Sequence, residues 1–381
     1  MHETRSTLLL VLLAACGDGR TDLRTAAEPV VERYAESAYS SYAVVAIEAG
    51  NLRAAIDNFV ANPSAQSLGL ARDAWIDARA VYRPTEAFRF YGGPIDDPAD
   101  EREPGINAWP MDEAYVDYVV GNATAGIIND PTGFPTIDAA ALTAANLIGG
   151  DANVAIGYHA IEFLLWGQDL SAAGPGARPH ADFLDAGTAA NQARRRQYLG
   201  VVADMLVVDL EHVRDRWNPA GGDYTATFTG APVESLTRML TGIGTLAASE
   251  LSGERMLTAY ENKDQEDEHS CFSDSTKDDL LGNMRGIDDI FRGRIGASSG
   301  DSLAILIAER DPALAFRMEQ QIGVALAAIQ AIPGPFDQAI LGEDSSTGRM
   351  AVIDAVRAIQ EVGDTIVDVA AVLEVPVSTE L

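Results

Sequence analysis

The stretch Asn153-Val154-Ala155-Ile156-Gly157-Tyr158-His159-Ala160-Ile161-Glu162-Phe163-Leu164-Leu165-Trp166 is apolar on nearly every face. That is the pattern of a helix enclosed by other helices rather than one lying on a surface. Its only residues that ionise near or below neutral pH are His159 and Glu162. They stand three positions apart, hence on one side of the helix, and Phe163 and Trp166 extend the same strip. An unpaired carboxylate in such a setting is strongly disfavoured, so Glu162 needs a compensating group. Three fit: an arginine from a neighbouring helix, a mutual ion pair with His159, or a metal cation. Imidazole nitrogen with carboxylate oxygen suits iron or zinc, and the sequence pattern alone leaves all three open.

On either side of this helix the chain reads as further helices separated by Gly, Pro and Asp clusters, with no sustained alternation of polar and apolar residues, which predicts an all-α fold. Val30, Tyr34, Ala38, Tyr42 and Val45 recur at helical spacing after Pro29. A second helix starts at Pro63-Ser64 and runs toward Phe88, with Pro84 interrupting it near Glu86. The segment from Gly92 to Pro110 is a long polar loop, a length that suggests function. Met111 to Val120 reads as a short helix and Ile137 to Gln168 as one or two. After the break at Ala172-Ala173-Gly174-Pro175-Gly176, helices are expected over 188–217, 233–260, 276–295, 311–332 and 346–373. With 381 residues two packed units are expected, here 29–175 carrying the His159 helix and 176–381. The halves echo one another weakly, each leading a long helix into a polar segment with a histidine, His159 in one and His269 in the other.

Arg5 precedes an apolar run from Leu8 to Ala15, too short to span a bilayer but suited to a signal-peptide core. Leu13-Ala14-Ala15-Cys16 ends it and resembles the bacterial lipobox, in which the cysteine becomes a lipidated N-terminus. The expectation is a signal peptide over 1–16, lipidation at Cys16 and a tether over 17–28, which places the protein in the cell envelope, periplasmic or at the outer membrane and held by its lipid alone. Cys271 is then the one remaining thiol, so no intramolecular disulfide forms. The formal charge of −30 disfavours nucleic acid and anionic lipid head groups as partners. There is no His-Glu-x-x-His, no Cys-x-x-Cys-His for covalent haem, no Walker loop for a nucleotide and no Gly-x-Ser-x-Gly elbow.

Gly157-Tyr158-His159-Ala160-Ile161-Glu162 matches the Gly-x-His-x-x-Glu signature of the imelysin family. Gly93-Pro94-Ile95-Asp96-Asp97, Asn107-Ala108-Trp109-Pro110, Phe163 to Asp169 and Gln265 to Asp274 resemble its iron-regulated protein A branch. The resemblance implies two helical-bundle domains with a functional cleft between them, an envelope location, a part in iron acquisition, and an older label of metallopeptidase. Carried over, Gly157, His159 and Glu162 are the signature positions, and Glu86 lies in another family-like block. Glu113 and His269 are further candidate metal ligands. Arg79, Tyr82, Glu86 and Arg89 recur at helical spacing, a face able to supply either a ligand or the cation that neutralises Glu162. The reading is an envelope protein that binds iron or an iron-carrying ligand around His159 and Glu162. One alternative is a metal-dependent peptidase, with zinc as the other metal and Glu162 as its base. Another is a scaffold lipoprotein in which the pair is structural. Glu162 does not readily serve one metal as both ligand and base, which favours binding over turnover.

Overall fold

The computed structural model describes residues 21–172 and 174–379; the expected signal segment and Cys16 lie outside them. Helices account for 66% of the chain. The strands among the described residues are one two-residue pair, Arg294–Ile295 with Ser298–Ser299, so the all-α class is met. None of the described helices is long and apolar enough to cross a membrane.

Helix α1 (Leu23–Ala61) begins six residues before Pro29, inside the segment read as a tether, because Asp22 caps it by accepting from the Thr25 N–H at 3.2 Å. Pro29 sits inside the helix and forgoes one backbone hydrogen bond. The five positions spaced after it, Val30, Tyr34, Ala38, Tyr42 and Val45, are all buried. Helix α2 (Ala65–Tyr82) opens with a Ser64/Ser67 capping box. It tightens into a 3₁₀ turn over Arg83–Phe88, where Pro84 occupies the first turn and Arg83, Thr85 and Glu86 are all buried. Residues 89–157 form the long connection, with short helices at Glu103–Ile106, Glu113–Val116, Gly126–Asn129 and Ala139–Ala145. The expected helix over 111–120 is thus a single turn, and of the one or two expected over 137–168 there are two.

The second of these is α3 (Tyr158–Trp166), every residue of which is buried. Gly157 opens it at φ +92°, and a Cβ there would lie 2.7 Å from the Ile106 carbonyl oxygen, so the turn into the signature helix requires glycine. Helix α4 (Gln192–Arg216) follows the Gly-Pro-Gly break but packs mainly on α1. Arg195 reaches Asp117 (Nε to Oδ2, 2.6 Å) and the Tyr198 hydroxyl donates to the Ala155 carbonyl at 2.5 Å. Helix α4, which follows the break near residue 175, thus packs on α1 and α3.

The remaining long helices are α5 (Pro232–Thr245), which continues as a π-helical stretch over Leu246–Leu257, α6 (Thr276–Arg292), α7 (Pro312–Ala331) and α8 (Thr347–Leu373). Each lies within four residues of its expected bounds. Helix α8 packs against α7 and the π stretch, and α6 against α7 and the 83–88 turn. Gly286 of α6 permits that last contact, since a Cβ would fall 2.2 Å from the Pro84 carbonyl oxygen. One contiguous apolar cluster runs from α1 through α3 and α6 to α8.

Candidate functional site

His159 and Glu162 are 1% and 0% exposed. Glu162 Oε2 lies 3.0 Å from His159 Nδ1. Its Oε1 accepts from the Ser273 backbone N–H at 2.9 Å and from the Ser273 hydroxyl at 2.7 Å, and Ser275 Oγ backs that hydroxyl at 2.5 Å. Both carboxylate oxygens are thus engaged by the imidazole and by a loop distant in sequence. Of the three compensators, the mutual pair is the one in direct contact. Arg79 acts on Glu162 only through its field.

The loop that brings Ser273 also brings His269, 2% exposed, whose ring stands 4.7 Å from the His159 ring at 75°. Its Nδ1 faces Asp279 Oδ2 at 2.7 Å and its Nε2 lies 3.4 Å from the Asn107 amide nitrogen. The two histidines are therefore treated alike: each has Nδ1 on a carboxylate, which fixes the ring and leaves the lone pair on Nε2. Burial lowers both pKa values from the ordinary imidazole value, and for His269 Arg255 adds to the effect, while the neighbouring carboxylates oppose it. Both rings are neutral at physiological pH. His159 Nε2 is fully buried and meets no hydrogen-bonding group among the described residues.

Asp279, fully buried at the start of α6, is the electrostatic centre of the cluster. It accepts from Arg79 Nη2 at 3.0 Å, Arg83 Nε at 2.5 Å and Ser270 Oγ at 2.5 Å besides His269. Burial alone would raise its pKa, but Arg79, Arg83 and His269 together hold it well below the usual carboxylate range. The Arg79 guanidinium lies 5.0 Å from the Tyr158 ring centre and 5.3 Å from that of Tyr82, favourable cation–π placements. Arg79 also donates to Asn107 Oδ1 at 2.6 Å. That bond orients the Asn107 amide so that its nitrogen faces His269 and, at 3.4 Å, Glu86 Oε1.

The other expected ligands lie elsewhere. Glu86 accepts from Arg89 Nη1 at 2.7 Å and Arg255 Nη2 at 2.6 Å. Burial would raise its pKa, but the two guanidiniums pull it far down, so it is a satisfied anion, joined to His269 through Asn107. Glu113 accepts from Gln168 Nε2 at 3.1 Å, and burial and the nearby Glu266 raise it to about 7. It has no bond to either histidine. Sequence reasoning passed over Asp279, Ser273 and Arg255. A carboxylate in line with the apolar positions Leu280 and Ile287 of an amphipathic helix was the available signal for Asp279. Ser273 lay within the family-like block Gln265 to Asp274 without a role of its own, and Arg255 had no signal, because a π-helical register places it.

The donor types fit a borderline metal such as iron: two neutral imidazoles with carboxylate-held Nδ1 atoms and one open Nε2. Among the described residues, however, no three His, Cys, Asp or Glu side chains converge as a ligand set. The chain supplies nitrogen donors rather than a complete cage. Buried Cys271 does not join them, its thiol raised well above its ordinary pKa by burial and by surrounding carboxylates.

This all-helical frame is of the imelysin type, and the chain belongs to the imelysin (Peptidase_M75) family, whose model matches residues 38–366. It is 27% identical over 337 residues to iron-regulated protein A of Synechococcus elongatus, covering 86% of this chain and 80% of that protein. Two crystal structures share the fold. A Parabacteroides distasonis protein assigned as an iron-regulated protein A precursor superposes with a TM-score of 0.70 at 20% identity, over 94% of this chain and 97% of that one. An imelysin-like protein from Psychrobacter arcticum gives 0.61 at 12% identity, over 92% and 93%.

Proposed function

We propose that the protein binds iron, carried in with ligands of its own, at His159 and His269, and does so in the cell envelope, where a lipid on Cys16 would hold it. The observation that carries this reading is the buried, neutral His159, whose Nδ1 is held by Glu162 and whose Nε2 meets no hydrogen-bonding group of the described residues. A buried acceptor left in that state is costly unless a partner arrives. The incomplete protein ligand set favours a chelate or other iron-bearing molecule over the bare ion. When bound, the metal would supply Lewis acidity toward the two imidazoles. Glu162 and Asp279 hold the rings on their far nitrogens, and Arg79 holds Asn107 against His269. Because both histidines are buried, entry requires the 268–275 loop to open with Trp109, whose indole N–H donates to the Glu268 carbonyl at 2.6 Å.

Binding is favoured over peptide cleavage because Glu162, the base that cleavage would use, has both oxygens committed. The test is anaerobic titration of the purified chain with ferrous iron, ferric iron and ferric citrate, followed by calorimetry and metal analysis, for wild type, His159→Ala and His269→Ala. Saturable uptake that both substitutions weaken at least tenfold is expected. Failure of all three iron forms to bind wild type would refute the reading.

A further inference from the structure

A second, unrelated cleft of about 780 Å³ opens between residues 100–105, the Ala139–Ala145 helix and the outer side of α4. Its apolar wall is Ile156, Val201, Met205 and Val208, and Asp100, Asp204 and Asp209 stand around it. The one cation in the lining, Arg102, is already claimed by Asp100 at 2.5 Å and by Asp209 Oδ1 at 2.9 Å. Asp209 is the telling residue. Its side chain is 15% exposed, and its pKa is raised by burial in spite of Arg102. Its Oδ2 lies beside Gly105, where any Cβ would come within 3.0 Å and cover it. A partly desolvated carboxylate oxygen is thus left accessible against an apolar wall, in a cleft of the size that binds small molecules.

We propose that this cleft binds a small organic cation with an apolar body, an alkylammonium-type ligand whose amine meets Asp209 Oδ2 and whose chain lies along Val201, Met205 and Val208. The surplus of carboxylate over guanidinium selects the charge, and the apolar wall selects the body. Anions of the same shape are repelled. The cleft shares no lining residue with the histidine site, so the proposal stands apart from the iron reading.

The test is titration calorimetry of the full chain with octylammonium and with octanoate. Saturable one-to-one binding of octylammonium, at least tenfold tighter than octanoate, is expected. Val208 is 60% exposed, so Val208→Trp should fill the cleft without unfolding the chain and abolish the binding. Asp209→Asn should weaken octylammonium at least fivefold and narrow the preference over octanoate, with thermal melts showing both variants folded. Absence of saturable octylammonium binding, equal affinity for octanoate, or unchanged affinity in Val208→Trp would each overturn the proposal.

Discussion

Asp279→Asn and Glu162→Gln look alike on paper, since each neutralises a buried carboxylate that holds a histidine, yet the surroundings predict opposite outcomes. Asp279 compensates two buried guanidiniums, Arg79 and Arg83. Its neutralisation leaves both cations short of a counter-charge, and removing one partner of a buried ion pair costs about 3–5 kcal/mol. An unfolding entropy near 2.1 cal/mol/K per residue over 381 residues amounts to about 0.8 kcal/mol/K. The melting temperature should therefore fall by about 4–6 °C. Glu162 has no guanidinium in direct contact. Its Oε1 bonds to Ser273 survive in glutamine, and the new amide can donate to His159 Nδ1 if the imidazole proton moves to Nε2. The cost is then about 1 kcal/mol, a shift of one or two degrees. That tautomer change removes the lone pair on Nε2, so Glu162→Gln should lose at least tenfold in iron affinity while staying folded. Differential scanning calorimetry with parallel iron titration reads both effects. If Glu162→Gln melts as low as Asp279→Asn, or binds iron as wild type does, the assignment of Asp279 as structural anchor and Glu162 as tautomer-setter is wrong.

Three further outcomes follow from the same geometry. Gly157→Ala forces a side chain into positive φ and against the Ile106 carbonyl oxygen, so chemical denaturation should show a loss of about 2–4 kcal/mol. Ser273→Ala removes one of the two donors on Glu162 Oε1 but keeps the backbone N–H. A stability loss of about 1–2 kcal/mol and weaker iron binding are expected by denaturation and titration. Asp274, raised to about 7 by burial and by Asp169 and Asp337, and Glu113, also near 7, hold protons in the folded state that the unfolded chain has already released. At these two groups the folded state binds more protons between about pH 4 and 7, so their contribution to stability is fully present below that window and falls as pH rises through it. His159 and His269, whose pKa values burial lowers, act in the opposite sense, so wild type and Asp274→Asn are compared by melts from pH 5.0 to 7.5, and the variant should lose the part of the decline that Asp274 supplies.

How much of this was legible beforehand depended on whether the residues concerned act along one helix or across several. The five spaced positions of α1, the Pro84 interruption and the bounds of α6, α7 and α8 follow local periodicity and capping, and those expectations were met. His159 with Glu162 was readable for the same reason: two polar groups one turn apart in an apolar helix. The place of α4 was not, because a Gly-Pro-Gly break marks where the chain turns and says nothing of which surface the next helix meets. That was decided by Arg195 on Asp117 and Tyr198 on Ala155, contacts 78 and 43 residues apart.

The choice between an arginine and a metal as the neutraliser of Glu162 also dissolves once the folded neighbours are known. Arg79 of α2 and Arg83 of the 3₁₀ turn serve Asp279, and Arg89, just past that turn, and Arg255 of the π stretch serve Glu86, so each of these buried guanidiniums already faces a carboxylate. Glu162 is left with an imidazole and a serine, partners that satisfy it without neutralising it. The buried arginines are thus paired with Glu86 and Asp279, and none of them bonds Glu162. Sequence spacing placed Arg79, Glu86 and Glu162 in one set of candidates; the fold separates them into a charge-balanced frame and an uncompensated pair held within it.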